Sequence, residues 1–104
     1  MTLYKITLTT NEYLTLMNYI GLIKFFVKND ENLCKIHKLI ERNTQIKDVI
    51  LRSKVTYNID FSNLTLLRNF IIEQLNRPLA KYDIDKEIFA SILHKIDISL
   101  ASTN

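Results

Sequence analysis

Residues 3–12 read Leu-Tyr-Lys-Ile-Thr-Leu-Thr-Thr-Asn-Glu, and the period of their apolar positions changes partway through. Tyr4, Ile6 and Leu8 alternate with Lys5 and Thr7, the pattern of a strand with one buried face. Thr9 then opens Thr-Thr-Asn-Glu. At that spacing a Thr hydroxyl and a Glu carboxylate each satisfy a free backbone N–H at a helix start. The stretch predicts a short strand running directly into a helix that begins near Thr10.

Working outward, that helix should continue to about Lys28. Tyr13, Leu14, Leu16, Met17, Ile20, Ile23, Phe25, Phe26 and Val27 are apolar on more than one face, which predicts a path through the core. Gly21 in its middle costs about 1 kcal/mol relative to Ala, so close packing of another helix is expected there. Asn29-Asp30-Glu31-Asn32 breaks the pattern, and Leu33, Ile36, Leu39, Ile40 and Asn43 start a second helix. Ile46, Val49 and Ile50 extend its spacing, so the segment to Ser53 is either one long helix or two pieces bent near Asn43.

Val55, Tyr57, Ile59 and Phe61 alternate with Thr56, Asn58 and Asp60, a second strand. An isolated strand would leave its backbone unpaired, so the two strands are expected to form a small sheet covered by helices. Ser62 is the expected N-cap of a third helix carrying Leu64, Leu67, Phe70, Ile71 and Leu75, which should stop at Arg77 before Pro78. Asp85 is the expected cap of a fourth, with Ile84 and Phe89 as a hydrophobic staple and Ile88, Ile92 and Ile96 as its buried stripe. Residues from Ser99 onward are expected to fray. The fold class is α+β and mostly helical, about four helices packed with a two-stranded sheet. We read one compact domain over residues 1–104, frayed at about 100–104, with no internal repeat or linker.

The composition agrees with that size. The chain has 104 residues, 47% hydrophobic and 24% charged, with one Gly and one Pro, which suits a globular domain and not a disordered segment. Net charge is +3, and the excess sits between Lys24 and Lys54, where eight Lys or Arg face four acids. Cys34 is the sole cysteine, so no intramolecular disulfide forms and a reducing, cytoplasmic location is expected. The apolar run Tyr13 to Val27 is shorter than the ~20 residues of a membrane span and contains Asn18, Gly21 and Lys24, so no membrane association is expected. No signal peptide is read. Frequent Ile, Lys and Asn with scarce Ala are what AT-rich codons favour, pointing to an AT-rich bacterium, its phage or another mobile element.

Motifs that carry chemistry are scarce. Cys34-x-x-His37 has metal-ligand types at one-turn spacing, but a structural zinc site takes four ligands and His94 is the remaining histidine. A Cys-His nucleophile would need an oxyanion pocket that nothing marks. A single Gly leaves no phosphate loop or dinucleotide fingerprint. Asp83, Asp85 and Glu87 coincide with a helix start, where the helix dipole accounts for them. No catalytic residue, metal or cofactor is therefore expected.

Lys35, Lys38, Arg42, Gln45 and Arg52 would share one face if the second helical segment were continuous, with Lys47 and Lys54 adding to the field. Such a stripe suits phosphates, an acidic partner or plain solvent. Tyr57 and Tyr82 are aromatic candidates for an interface edge, Tyr57 being the more probable core residue of the two. The leading expectation is a non-enzymatic protein-interaction module, homodimeric or bound to a larger partner, with apolar side chains and a basic rim. A phage- or mobile-element-encoded inhibitor of a host defence or nucleic-acid-processing complex, acting in the host cytoplasm, would fit. The alternative is a nucleic-acid-binding protein using the Lys35, Lys38 and Arg42 face.

Overall fold

The computed structural model describes residues 2–27, 29–44, 51–77 and 83–102. The element order is β1 (Leu3–Thr9), α1 (Thr10–Phe26), α2 (Glu31–Asn43), β2 (Lys54–Asp60), α3 (Phe61–Asn76) and α4 (Asp83–Ala101). The fold is mostly helical α+β with a small two-stranded antiparallel sheet, as expected.

Period-2 alternation sets the sheet. β1 and β2 pair from Leu3↔Asp60 to Thr9↔Lys54, so Tyr4 meets Ile59, Ile6 meets Tyr57 and Leu8 meets Val55 on one face. Ile6, Leu8, Val55, Tyr57 and Ile59 are buried there beneath the helices. Lys5, Thr7, Thr56 and Asn58 take the opposite face, where the Thr7 and Thr56 hydroxyls lie 2.9 Å apart across the strands. A one-residue slip would turn every one of these side chains over.

The strand-to-helix junctions repeat. Thr9, the last residue of β1, caps α1: its hydroxyl accepts from the Glu12 N–H and its own N–H donates to Glu12 Oε1 at 2.8 Å, the capping box read from the sequence. Asp60, the last residue of β2, caps α3 by accepting from the Asn63 N–H. Ser62 lies inside that helix, so the sequence-based cap was two residues late; Phe61 begins the helix and is exposed, outside the strand alternation. Among the named elements the order strand-helix-helix occurs twice. Leu16 and Ile20 on α1 occupy the places of Leu67 and Ile71 on α3, all four with no exposed surface. No identity of residues advertises this, only the equal spacing from each cap.

The four helices form a closed ring in which each packs on the next and α4 packs on α1, over one face of the sheet. α2 contributes Leu33, Ile36 and Ile40, and α4 contributes Phe89, Ile92 and Ile96, both at spacings of three then four. Asp30 caps α2, its carboxylate accepting from the Leu33 N–H.

Several expectations change. Of the two alternatives for the second helical segment, a break near Asn43 is the one seen: α2 stops at Asn43 and Thr44 is extended. Leu51 and Arg52 are helical, Ser53 takes a positive φ of 56°, and its carbonyl accepts from the Thr10 N–H. Asp85 is inside α4, which already includes Asp83, and Ile84 is exposed, so the staple with buried Phe89 is not made. The C-terminal end is ordered further than expected: α4 runs to Ala101, because the buried Ser99 hydroxyl donates to the Lys5 carbonyl of β1. No described helix is long and apolar enough to cross a membrane.

Candidate interaction surface

Three features stand out from the packed scaffold, and each has a separate physical basis. The first is Glu12. Once it has capped α1, its carboxylate also receives the Ser91 hydroxyl at 2.8 Å on Oε2 and the Lys95 ammonium on Oε1, both from α4. Burial alone pushes this carboxyl up, but the bonds from Lys95, the Thr9 N–H and Ser91, with the Lys95 charge, outweigh it. They hold the group below its ordinary 4.5. The cluster is a clamp between α1 and α4. The sequence showed its cap half; the partners 79 and 83 residues away carried no signal.

The second is α2's outward face. Lys35, Lys38 and Arg42 fall within about 60° of one another at ~100° per residue, opposite Leu33, Ile36 and Ile40. All three are exposed, and none takes part in an ion pair among the described residues. Gln45 and Lys47 lie outside the described residues, as does Tyr82. Arg52 lies beyond the end of α2 at Asn43, so it does not share one continuous helix with Lys35, Lys38 and Arg42. Tyr57 is a core residue: it is 1% exposed and pairs with Ile6, and its hydroxyl lies 2.7 Å from Thr44 Oγ1.

Cys34 and His37 do not converge on a metal. The Lys24 ammonium donates to His37 Nδ1 at 2.8 Å, which leaves the ring proton on Nε2, 3.7 Å from Glu41. His37 thereby joins α1 to α2, while Cys34 is half-buried. Asp85 accepts from the Tyr19 hydroxyl at 2.7 Å, a tie from α4 to α1. No group of three or more His, Cys, Asp or Glu able to hold a metal occurs among the described residues.

The third feature was not anticipated. α1 was expected to run through the core; its fully buried residues are Glu12, Leu16 and Ile20. Tyr13, Met17, Tyr19 and Ile23 are half-buried against the core, while Leu14 is 48% exposed, Leu22 58%, Phe25 73% and Phe26 74%. Phe25 and Phe26 stack edge-to-face at 5.3 Å, forming an aromatic knob at the helix end. Gly21 is exposed with no atom within 4 Å of where its Cβ would be, so none of the described helices packs on it as expected. Val27, also exposed, borders a cleft between α1, α2 and α3 lined by Ile23, Leu33, Ile36 and Phe70. The sequence held a signal: Asn11, Leu14, Asn18, Gly21 and Phe25 repeat at spacings of three and four on the helix face opposite the buried stripe.

No family model, curated protein or solved structure matches the chain.

Proposed function

We propose that this chain is a non-enzymatic protein-interaction module whose binding surface is the outward face of α1, with the basic α2 face beside it as a rim. The observation that carries the reading is the exposure of Leu14, Leu22, Phe25 and Phe26 on α1 and of Val27 at its C-cap, all large and apolar. Single exposed apolar residues are ordinary, but a cluster along one helix marks a surface that a partner covers. Aromatic anchors with positive charge at the periphery are the composition of binding hot spots. An inhibitor that works by occlusion needs nothing more than such a surface. The AT-rich residue usage favours a phage or mobile element as its carrier, against a host complex.

The test is a photo-cross-linking amino acid placed at Phe25 in cells that naturally produce the chain, with Asn58 on the outer sheet face as control. A discrete protein adduct at position 25 and none at 58 is expected. Equal labelling at both positions would overturn the reading.

Lys35, Lys38 and Arg42, exposed and in no ion pair among the described residues, support a second reading in which α2 meets nucleic-acid phosphates. Reversing all three to Glu would abolish a salt-dependent shift with duplex or single-stranded nucleic acid, and leave the α1 adduct intact.

A further inference from the structure

We infer that the cleft between α1, α2 and α3 is a separate binding site for an extended peptide segment of a partner. One large apolar side chain of that segment enters the cleft, and the same residue's backbone N–H and C=O pair with the Gln74 carboxamide. The inference does not rest on the α1 outward face: of the large apolar residues exposed there, only Val27 lines the cleft.

Gln74 is the residue that calls for a ligand. Counted from its cap Asp60, it holds the place on α3 that Ile23 holds on α1 counted from Thr9, and both line the cleft. Where α1 presents an aliphatic chain, α3 presents a primary amide that is only 2% exposed. Its Nε2 donates to the Phe70 carbonyl at 3.4 Å, the long end of a hydrogen bond, and its Oε1 has no partner among the described residues. No fully enclosed side-chain nitrogen or oxygen among the described residues lacks a partner, so this oxygen is the part of Gln74 left open, and the cleft is what Gln74 lines. A buried amide with half its capacity unused costs the fold stability, and an apolar residue there would not. In an extended segment the N–H and C=O of one residue point the same way, so that residue gives its N–H to Oε1 and accepts from Nε2.

Size decides how much of a ligand enters. The cleft measures about 200 Å³, with Ile23, Leu33, Ile36 and Phe70 as its apolar walls. Pockets for drug-sized ligands begin at about 300 Å³, whereas an apolar cavity of about 150 Å³ takes up one benzene. The space suits one side chain the size of leucine or phenylalanine and is too small for a nucleotide.

Charge decides what stands beside that side chain. Asp30 and Glu73 line the cleft, neither in an ion pair among the described residues, against one lining cation, Arg77. The mouth is thus net negative on a chain of formal charge +3. A Lys or Arg next to the apolar residue meets opposite charge there, and an acidic neighbour is repelled.

The experiment is NMR titration of the isotope-labelled full chain with the peptide acetyl-Gly-Phe-Lys-amide. Three altered peptides accompany it: Ala for Phe, Glu for Lys, and an ester oxygen in place of the Phe N–H. The Gln74→Met chain, close in shape and without the amide, is titrated alongside, and its thermal unfolding is compared with wild type. One anchored side chain supports a dissociation constant of about a millimolar. We expect saturable shifts centred on Ile23, Ile36, Phe70 and Gln74, and binding weaker by about fivefold or more for each altered peptide. Gln74→Met should lose binding by a similar factor yet unfold at the same temperature or higher, because the amide serves the ligand and not the fold. No saturable response, or one centred outside the cleft, overturns the inference. So does any altered peptide that binds as well as the first, the ester testing the Gln74 bond in the wild-type chain itself. A Gln74→Met chain that binds normally, or that unfolds at a lower temperature, assigns the amide to the fold and also overturns it.

Discussion

Glu12, three residues into α1, is bound through the same carboxylate to the backbone N–H of Thr9 and to the ammonium of Lys95 on α4, so one side chain both starts a helix and fastens it to another. Glu12→Gln keeps the shape and removes the charge. Lys95 is about a third exposed and can rehydrate, so the cost should be about 2 kcal/mol, nearer that of a charged hydrogen bond than of a fully buried ion pair. Denaturant unfolding at neutral pH measures it.

The same group sets the acid limb of stability. Its folded pKa is lowered, so its contribution is complete above the ordinary carboxylate value of 4.5 and disappears as pH falls through the lowered folded value. Wild type should lose stability more steeply than Glu12→Gln below that pH, and the two curves should converge in acid. Parallel curves would show that Glu12 is not the linked group.

Tyr57 sets the alkaline limb. Thr44 donates its hydroxyl proton to the Ile40 carbonyl at 2.6 Å, so its oxygen accepts from Tyr57. Burial pushes the phenol from 10.0 up to about 12. The contribution is therefore full below pH 10 and is lost as pH rises toward 12. Tyr57→Phe should cost about 1 kcal/mol at neutral pH and flatten the decline above pH 10. Stability curves over that range check it.

Gly21 makes a simple test of how open α1's outward face is. With no atom near its missing Cβ, Gly21→Ala should raise the stability of the dilute chain by about 0.5–1 kcal/mol through helix propensity alone. Thermal unfolding at low concentration reads this. Destabilisation would mean that the face is already covered within one chain.

How much of this was legible depends on whether a feature is local. The change of period at Thr9, the capping box with Glu12 and the boundary at Arg77 are set by residues within a turn of one another, and they appear where the sequence places them. The cap of α3 was misplaced because Asp60 stood close to another good capper, Ser62, and side-chain chemistry alone does not rank neighbours; Asp85 falls inside α4, which already includes Asp83. Ser99 was read as a fraying end because its bond to the Lys5 carbonyl spans nearly the whole chain. α1 was read as buried because apolar residues on two faces look the same whether the second face meets this chain or another. That ambiguity is also why the basic residues of α2 were preferred as a surface over Phe25 and Phe26.

Hydroxyl-radical footprinting in cells that produce the chain tests most directly whether α1's outward face is covered, using three phenylalanines as internal gauges. Phe25 and Phe26 are 73% and 74% exposed and Phe61 is 60% exposed, so in the isolated, dilute chain their oxidation should follow that order. If the face is an interface, the order inverts in cells, with Phe25 and Phe26 oxidised several-fold less than Phe61. An unchanged order, following exposure alone, would contradict the account.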